Sequence, residues 1–390
     1  MIPVAYNTGS LAVRKTTTAT AVLGIGLVVF VLAAALMLTD GIKHTLGKTG
    51  RKDVGMVIRK GSDSELASNF GVDQLGIILG GPEVKRGGAG GAPLGLGEIV
   101  VVAMMEKVGA HGMSNVQIRG VADNVLEVRP ETRIVAGQAA KPGTDEALVG
   151  AKLRGRFKNL EIGQLVELRK GRTIKITGVF EDGGSGFESE IWADVDTLRT
   201  AFGREGIVSS ARAQLTSESA FDAFKTRIEQ DKQLGLEAQR ESDYYSKQSE
   251  GLAKFLFVLG TTIAVFFSVG AMIGAMITMY ASVSSRHREV GTLRALGFSR
   301  RSVLLCFLVE AFLISVLGGI LGCVASLGLG MVKFSMMNFA TWSEIVFNFH
   351  PTAEILGIAM VAAVIMGLIG GFLPALQAAL LSPIEAMRGE

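Results

Sequence analysis

Cysteine is nearly missing from these 390 residues. The two present, Cys306 and Cys323, share one apolar run. A continuous helix would hold them about 26 Å apart, too far for a disulfide. Histidine is as sparse: His44, His111, His287 and His350 are scattered, with no His-x-x-x-His pair and no neighbouring cysteine cluster to hold a metal. Charge is thin too, at 19% of residues with a net of +3, and no basic-aromatic platform suited to nucleic acid appears. Catalytic loops are absent in all but appearance. Gly47-Lys48-Thr49 lacks the first glycine of a phosphate loop, because position 42 is Ile42, and it follows an apolar run instead of a strand. Neither Gly184-Ser185-Gly186 nor Gly297-Phe298-Ser299 completes a Gly-x-Ser-x-Gly elbow. These absences predict a chain that is not itself an enzyme and binds neither metal nor cofactor.

Long apolar runs are what the sequence does have. Hydrophobic residues make up 48% of it, and four runs stand out: Ala19–Leu38, Phe255–Tyr280, Val303–Val332 and Ala353–Leu381. Each reaches or exceeds the roughly 20 residues that cross a hydrocarbon core. They predict transmembrane helices at 19–38, 253–280, 303–332 and 352–381. Arg14 and Lys15 precede the first run, and Arg286, Arg288, Arg294, Arg300 and Arg301 lie between the second and third. The positive-inside rule then puts residues 1–18, 281–302 and 382–390 in the cytoplasm, and 40–252 and 333–351 outside. Residues 1–18 read as an interfacial segment. Ala33-Ala34-Ala35 has the look of a signal-peptide cleavage site, but the run continues through Leu36, Met37 and Leu38, which favours an uncleaved anchor. Gly270/Gly274, Gly318/Gly322 and Gly367/Gly371 have the spacing that lets helix backbones approach closely. Packing within one protomer and a seam between two copies both fit that spacing.

Residues 40–252 read as an α+β domain. Val54–Arg59, Glu98–Ala103, Asn115–Val121, Leu126–Arg129, Ala147–Val149, Ile191–Ala193 and Ala211–Leu215 have strand character. Leu165–Arg169 and Thr173–Phe180 form a hairpin pattern turned by Lys170-Gly171. Helices are predicted within Asp63–Leu79 and at Ala151–Phe157, Val195–Phe202 and Ser219–Leu234, the last with Phe221, Phe224 and Ile228 on one face. The glycine-rich Gly80–Gly97 stretch predicts a mobile loop. Residues 142–203 read as a smaller subdomain inserted into the rest, and residues 240–254 as a helical stalk leading into the second span.

Ser284–Arg301 (SSRHREVGTLRALGFSRR) is the segment around which the chain is organised. It carries five arginines and one acid, Glu289. Val290, Leu293 and Leu296 recur at helical spacing. Gly297 suits the left-handed end of a helix, and Ser299 or Ser302 suits the cap of the next. From residues alone it is either a short surface helix or a basic loop that sets topology. Arg288 to Gly297, followed by an apolar run containing Glu310-Ala311, resembles the signature of FtsX-like ABC transporter permeases, which include macrolide-exporter (MacB-like) and lipoprotein-release groups. The order of segments resembles that family along nearly the whole chain.

The resemblance implies an α-helical membrane protein with four transmembrane helices and an extracytoplasmic α+β domain, porter-like with a smaller insert, between the first two. It implies a bacterial cytoplasmic (inner) membrane location and two permease halves, as a homodimer or related heterodimer. ATP and Mg would sit in a cytoplasmic ABC ATPase, expected on a separate chain because 1–18, 281–302 and 382–390 are far shorter than a domain of about 100–200 residues. A periplasmic adaptor or other extracytoplasmic partner is a further expectation. The coupling segment, which includes Arg286, would use Val290, Leu293 and Leu296 as anchors and Arg288, Glu289 and Arg294 for register, with Gly291 permitting close approach and Gly297 ending the helix. Glu310, an acid inside an apolar run, reads either as an interfacial carboxylate satisfied by Arg300, Arg301 or water, or as a polar tether between helices. The expected function is export or extraction of a substrate driven by the ATPase. Control of an extracytoplasmic cell-wall hydrolase and a non-transport scaffold or receptor are the alternatives.

Overall fold

The computed structural model describes residues 15–87, 90–109 and 112–381. Residues 1–14 of the expected interfacial segment, the expected tail at 382–390 and His111 lie outside the described residues. The chain divides into two compact units. A helical unit comprises Met1–Gly41, Ala253–Val332 and Asn348–Glu390. A sheet unit comprises Ile42–Leu252 and Lys333–Phe347.

The helical unit draws on α1 (Lys15–Gly47), α2 (Glu241–Ser285), α3 (His287–Ala295), α4 (Arg300–Leu327) and α5 (Ala353–Leu380). Among the described residues four helices, all of these except α3, are long and apolar enough to cross a membrane. Each expected run overlaps one of them, although Val303–Val332 outruns α4 and Ala353–Leu381 ends one residue past α5. Small side chains make the core: Ala33, Ala359, Ala363, Ala375 and Ala378 are fully buried, with Ile25, Val29 and Met37. Beside α4, where half of the apolar window is buried, α2 stands out with 6%. Phe257, Val258, Phe266, Phe267, Val269 and Ile277 of α2 are all exposed, as suits side chains whose solvent is lipid.

The sheet unit contains ten strands in one sheet. They are β1 (Val54–Arg59), β5 (Gly95–Glu106), β6 (Met113–Val121), β7 (Arg133–Gly137), β8 (Glu146–Gly150), β9 (Leu165–Arg169), β10 (Arg172–Glu181), β11 (Glu190–Asp194), β13 (Ser210–Gln214) and β14 (Leu236–Arg240). Short pairs add β2 (Phe70–Gly71) with β12 (Ile207–Val208), β3 (Arg86–Gly87) with β4 (Ala92–Pro93), and β15 (Lys333–Asn338) with β16 (Ser343–Asn348). The sheet order is β14-β1-β13-β5-β6-β11-β8-β10-β7, with β9 pairing the N-terminal half of β10. Most neighbours are antiparallel, and β6–β11 and β8–β10 are parallel.

Two apolar cores line this sheet. Val57, Ile78, Phe224, Ile228 and Ala238 belong to one, and Ile99, Val116, Ile118, Val149, Ile176 and Leu198 to the other. Helix Phe221–Gln230 turns Phe221, Phe224 and Ile228 inward, and the hairpin β9–β10 closes at Gly171 with φ +80°, both as patterned. The second core takes in Ile99–Ile118 as well as the expected 142–203 insert, because β5 and β6 run on into the same sheet.

Three local expectations fail. Val125–Val128 is a helical turn, not a strand. Residues 151–157 form turns rather than a helix. The segment 333–351, for which no local structure was expected, contains the paired strands β15 and β16. Most of Gly80–Gly97 is built into the domain: Val84 bridges Leu215, Leu96 is buried, and Gly95 and Gly97 begin β5. A Cβ on Gly95 would lie 2.3 Å from Leu79 Cδ2 and 2.6 Å from the Arg212 carbonyl. This glycine serves close packing instead of looseness.

Candidate coupling surface and a buried ionic centre

The basic segment folds as its punctuation predicts. Helix α3 ends at Gly297, whose φ of +92° costs a residue without Cβ little. The Ser299 hydroxyl then caps α4 by accepting from Ser302 N–H. The turn between α2 and α3 is held by Arg286, which is buried. Its Nη1 donates to Glu310 Oε2 at 2.9 Å, and its Nε lies 3.4 Å from Glu289 Oε2. Ser282 donates to the other Glu310 oxygen at 3.2 Å. Glu310 therefore links α4 to the start of α3, in line with the tether alternative, and its cation is Arg286 instead of the Arg300, Arg301 or water of the other alternative. The spacing of 24 residues hides that pairing from periodicity.

The three expected anchors separate. Val290 is 3% exposed and packs into the helical core, with Gly291 buried beside it. Being four residues on from Arg286, Val290 shares its inward face. Neither Val290 nor Gly291 is presented to a partner, and Arg286 is committed inward. Leu293 is half-buried, and Leu296 is 72% exposed. Arg288 and Glu289 are exposed, while Arg294 is half-buried and donates to the Phe298 carbonyl. The surface that remains on α3 is Arg288, Glu289 and Leu296, flanked by Leu293 and Arg294.

The glycine pairs separate as well. A Cβ on Gly322 would sit 2.5 Å from the Gly26 carbonyl oxygen, and one on Gly318 2.9 Å from Ile25 Cβ, so this pair seats α4 on α1. Gly367 and Gly371 seat α5 on Ser315 and Ala311 of α4. Gly270 and Gly274 face open space; with Gly24 of α1 they line an apolar groove of about 280 Å³.

The sheet unit holds a feature that no motif signalled. Arg119, Arg129 and Arg212 are buried with Glu65, Glu98, Glu190 and Glu241. Arg119 Nη1 meets Glu65 at 2.8 Å and Glu98 at 2.6 Å, while its Nε meets Glu190 at 2.7 Å. Arg212 bonds Glu65 and Glu241, each at 2.8 Å. Arg129 joins Glu98 at 2.9 Å to Glu241 at 3.1 Å and lies 4.0 Å over the Phe187 ring. Burial opposes ionisation of Glu98, but Arg119, Arg212 and Arg129 overcome it and hold its carboxyl at about 2. Glu65 is likewise held well below the usual range by Arg119 and Arg212, against its burial. Burial pushes Glu190 up. Yet its oxygens meet only donors, from Arg119, Gln117 and Trp192, so the carboxylate form is the one that fits. Glu241 opens α2, and Tyr245 one turn on donates to Glu65 at 3.2 Å, so this centre fixes the first turns of the stalk. A sequence signal existed only in part: arginine and glutamate at inward strand positions of β5, β6, β11 and β13.

Comparison with known proteins bears on both units. Residues 18–231 match the MacB-like periplasmic core domain, and residues 261–383 the FtsX-like permease C-terminal domain. A macrolide export ATP-binding/permease protein MacB of Brucella abortus is 30% identical over 231 residues, 56% of this chain and 34% of that protein. An ABC transporter permease of Methanocaldococcus jannaschii is 26% identical over 243 residues, 60% of this chain and 59% of that one. The chain thus spans about a third of the MacB relative. Among solved structures, the periplasmic region of MacB from Actinobacillus actinomycetemcomitans covers 54% of this chain and 97% of its own, at 12% identity and a TM-score of 0.39.

Proposed function

The chain belongs to the FtsX-like permease family with a MacB-like periplasmic core, and on that premise we propose that it is the permease subunit of an ABC transporter whose ATPase docks on α3. The observation that carries this reading is the division of labour within the basic segment. Arg286 and Val290 tie α3 into the bundle, while Arg288, Glu289 and Leu296 stay on its outer surface. A helix so fastened moves with α2 and α4 when its outer face is pushed, which a solvated basic loop would not do. Nucleotide and Mg belong to the ATPase, on a partner chain. Closure of two ATPases would be relayed through α2 to its first turns, which the ionic centre grips, and so to the extracytoplasmic domain, where a substrate is exported or extracted.

The same reading places α1, α2, α4 and α5 across the bacterial cytoplasmic membrane, with 281–302 inside. It also seats a second permease on the groove lined by Gly24, Gly270 and Gly274, the pair left unused within the protomer. The test is affinity purification of the full chain in mild detergent, followed by mass spectrometry and an ATPase assay. Recovery of an ABC ATPase with nucleotide turnover supports the proposal. Recovery of the permease alone, correctly inserted and folded, removes it and leaves a scaffold or receptor.

A further inference from the structure

The sheet ends, on the side opposite β14, in a strand whose outer edge is open. Among the described residues β9 pairs with β10 alone, and β7 takes the other half of β10, so no strand covers the far edge of β9. Its two faces are well defined. Val166 and Leu168 enter the second core with Ile174 and Ile176, while Leu165, Glu167 and Arg169 face outward. Leu165 is 60% exposed. An edge of this kind accepts a foreign strand unless its side chains forbid one.

The charges here are placed at a cost. From Leu165 to Ile176 the chain has four cations and one acid. Arg169 and Arg172 lie directly opposite each other across the hairpin, with Lys170 between them in the turn, and all three are exposed. Like charges so placed destabilise a strand pair. The acid, Glu167, turns back to accept from Gly171 N–H at 3.1 Å. It closes the turn and leaves the opposed arginines as they are. Cations on an edge keep copies of the same chain apart, and single lysines serve that purpose without an opposed pair. Two guanidinium forks side by side have a more specific use, the two-pronged binding of carboxylates. The same charges that turn away a second β9 therefore attract an acidic strand.

We propose that the free edge of β9 takes an extended acidic segment of a partner protein as an added strand. Backbone bonds would run along Leu165–Arg169, an apolar side chain of the segment would lie on Leu165, and its carboxylates would meet Arg169, Lys170 and Arg172. That the partner is an extracytoplasmic protein rests on the reading given above; the docking itself does not.

The test uses the full chain in mild detergent and a fluorescent octapeptide of alternating Glu and Val, followed by anisotropy. The wild type should bind it, and the double variant Arg169→Gln, Arg172→Gln should bind at least about tenfold more weakly. These substitutions relieve repulsion at exposed positions, so the unfolding midpoint should hold or rise. A second peptide of the same sequence, N-methylated at alternate amides, keeps every charge but cannot add as a strand; the wild type should bind it at least about tenfold more weakly too. Equal binding of the two peptides reduces the edge to a diffuse cationic surface and overturns the proposal. So does failure of the folded wild type to bind the Glu–Val peptide, which leaves the cations as protection against self-pairing.

Discussion

The two units solve the same problem, holding buried polar groups, in different proportions. Among the described residues the helical unit buries one acid–base pair, Glu310 with Arg286, and its helices close on one another largely through alanine, glycine and apolar side chains. The sheet unit buries three arginines and four glutamates in one connected network. In lipid, backbones hydrogen-bond within each helix, so helices can meet through bare surface, and each added charge is costly. In the sheet domain every charge of the network meets an opposite charge at hydrogen-bond distance, which is the condition under which buried ions persist. The comparison teaches where rigidity resides. The membrane helices are held by contact distance, and the stalk's first turns by directed bonds.

The sharpest break in that comparison is Arg212→Met. It strips Glu65 and Glu241 of a shared cation and leaves buried carboxylates under-compensated, which costs about 3–5 kcal/mol. Urea unfolding followed through Trp192, in a Trp342→Phe background, reads it; a cost below about 1 kcal/mol would show the network to be dispensable. Acid attacks the same network without mutation. Glu65 and Glu98 are depressed in the folded state, so their contribution is complete above the ordinary carboxylate range. It is lost as pH falls from there toward about 2, where Glu98 itself takes a proton. The urea midpoint of the wild type should therefore drop steeply over that window, and Arg212→Met should flatten the drop. Parallel slopes would assign acid sensitivity elsewhere.

A smaller effect is expected where contact distance rules. Gly322→Val would push its side chain onto the Gly26 carbonyl and Val29, an overpacking cost of about 1–3 kcal/mol. Gly274→Ala meets nothing within 4 Å and should leave the protomer within about 0.5 kcal/mol of wild type. Thermal aggregation of the detergent-solubilised protein would rank the two; equal losses would mean that Gly274 is packed against a second copy.

The sequence was legible where one residue type has one physical use. Apolar runs gave the helices, Gly297 and Ser299 gave the ends of α3 and α4, and alternation gave β1, β9 and β10. It was illegible where a group's partner is far along the chain. Arg119 and Glu65 are 54 residues apart and Arg212 and Glu65 147 apart, and nothing local distinguishes a buried arginine in a strand from a solvated one. The glycines of 80–97 misled for a related reason. Glycine reads as freedom when alone, yet at Gly95 a neighbouring strand and Leu79 occupy the space a Cβ would need.

The smallest expected effect on the fold is also the most informative about coupling. Leu296 is 72% exposed and Val290 is 3% exposed, though both lie on one short apolar repeat. Leu296→Ala removes almost no buried surface, so stability should change by less than about 0.5 kcal/mol. If Leu296 fills a pocket of a docked ATPase, truncation weakens association by about 1–3 kcal/mol, roughly 5- to 150-fold. Val290→Ala reverses the pattern: it opens a cavity inside the bundle, costing about 0.5–2 kcal/mol of stability, and reaches the ATPase only through the posture of α3. Measuring ATPase retention and thermal stability for both variants separates a docking face from a packing face. Equal retention in the two would return the outer surface of α3 to a positive flank that orients the chain and nothing more.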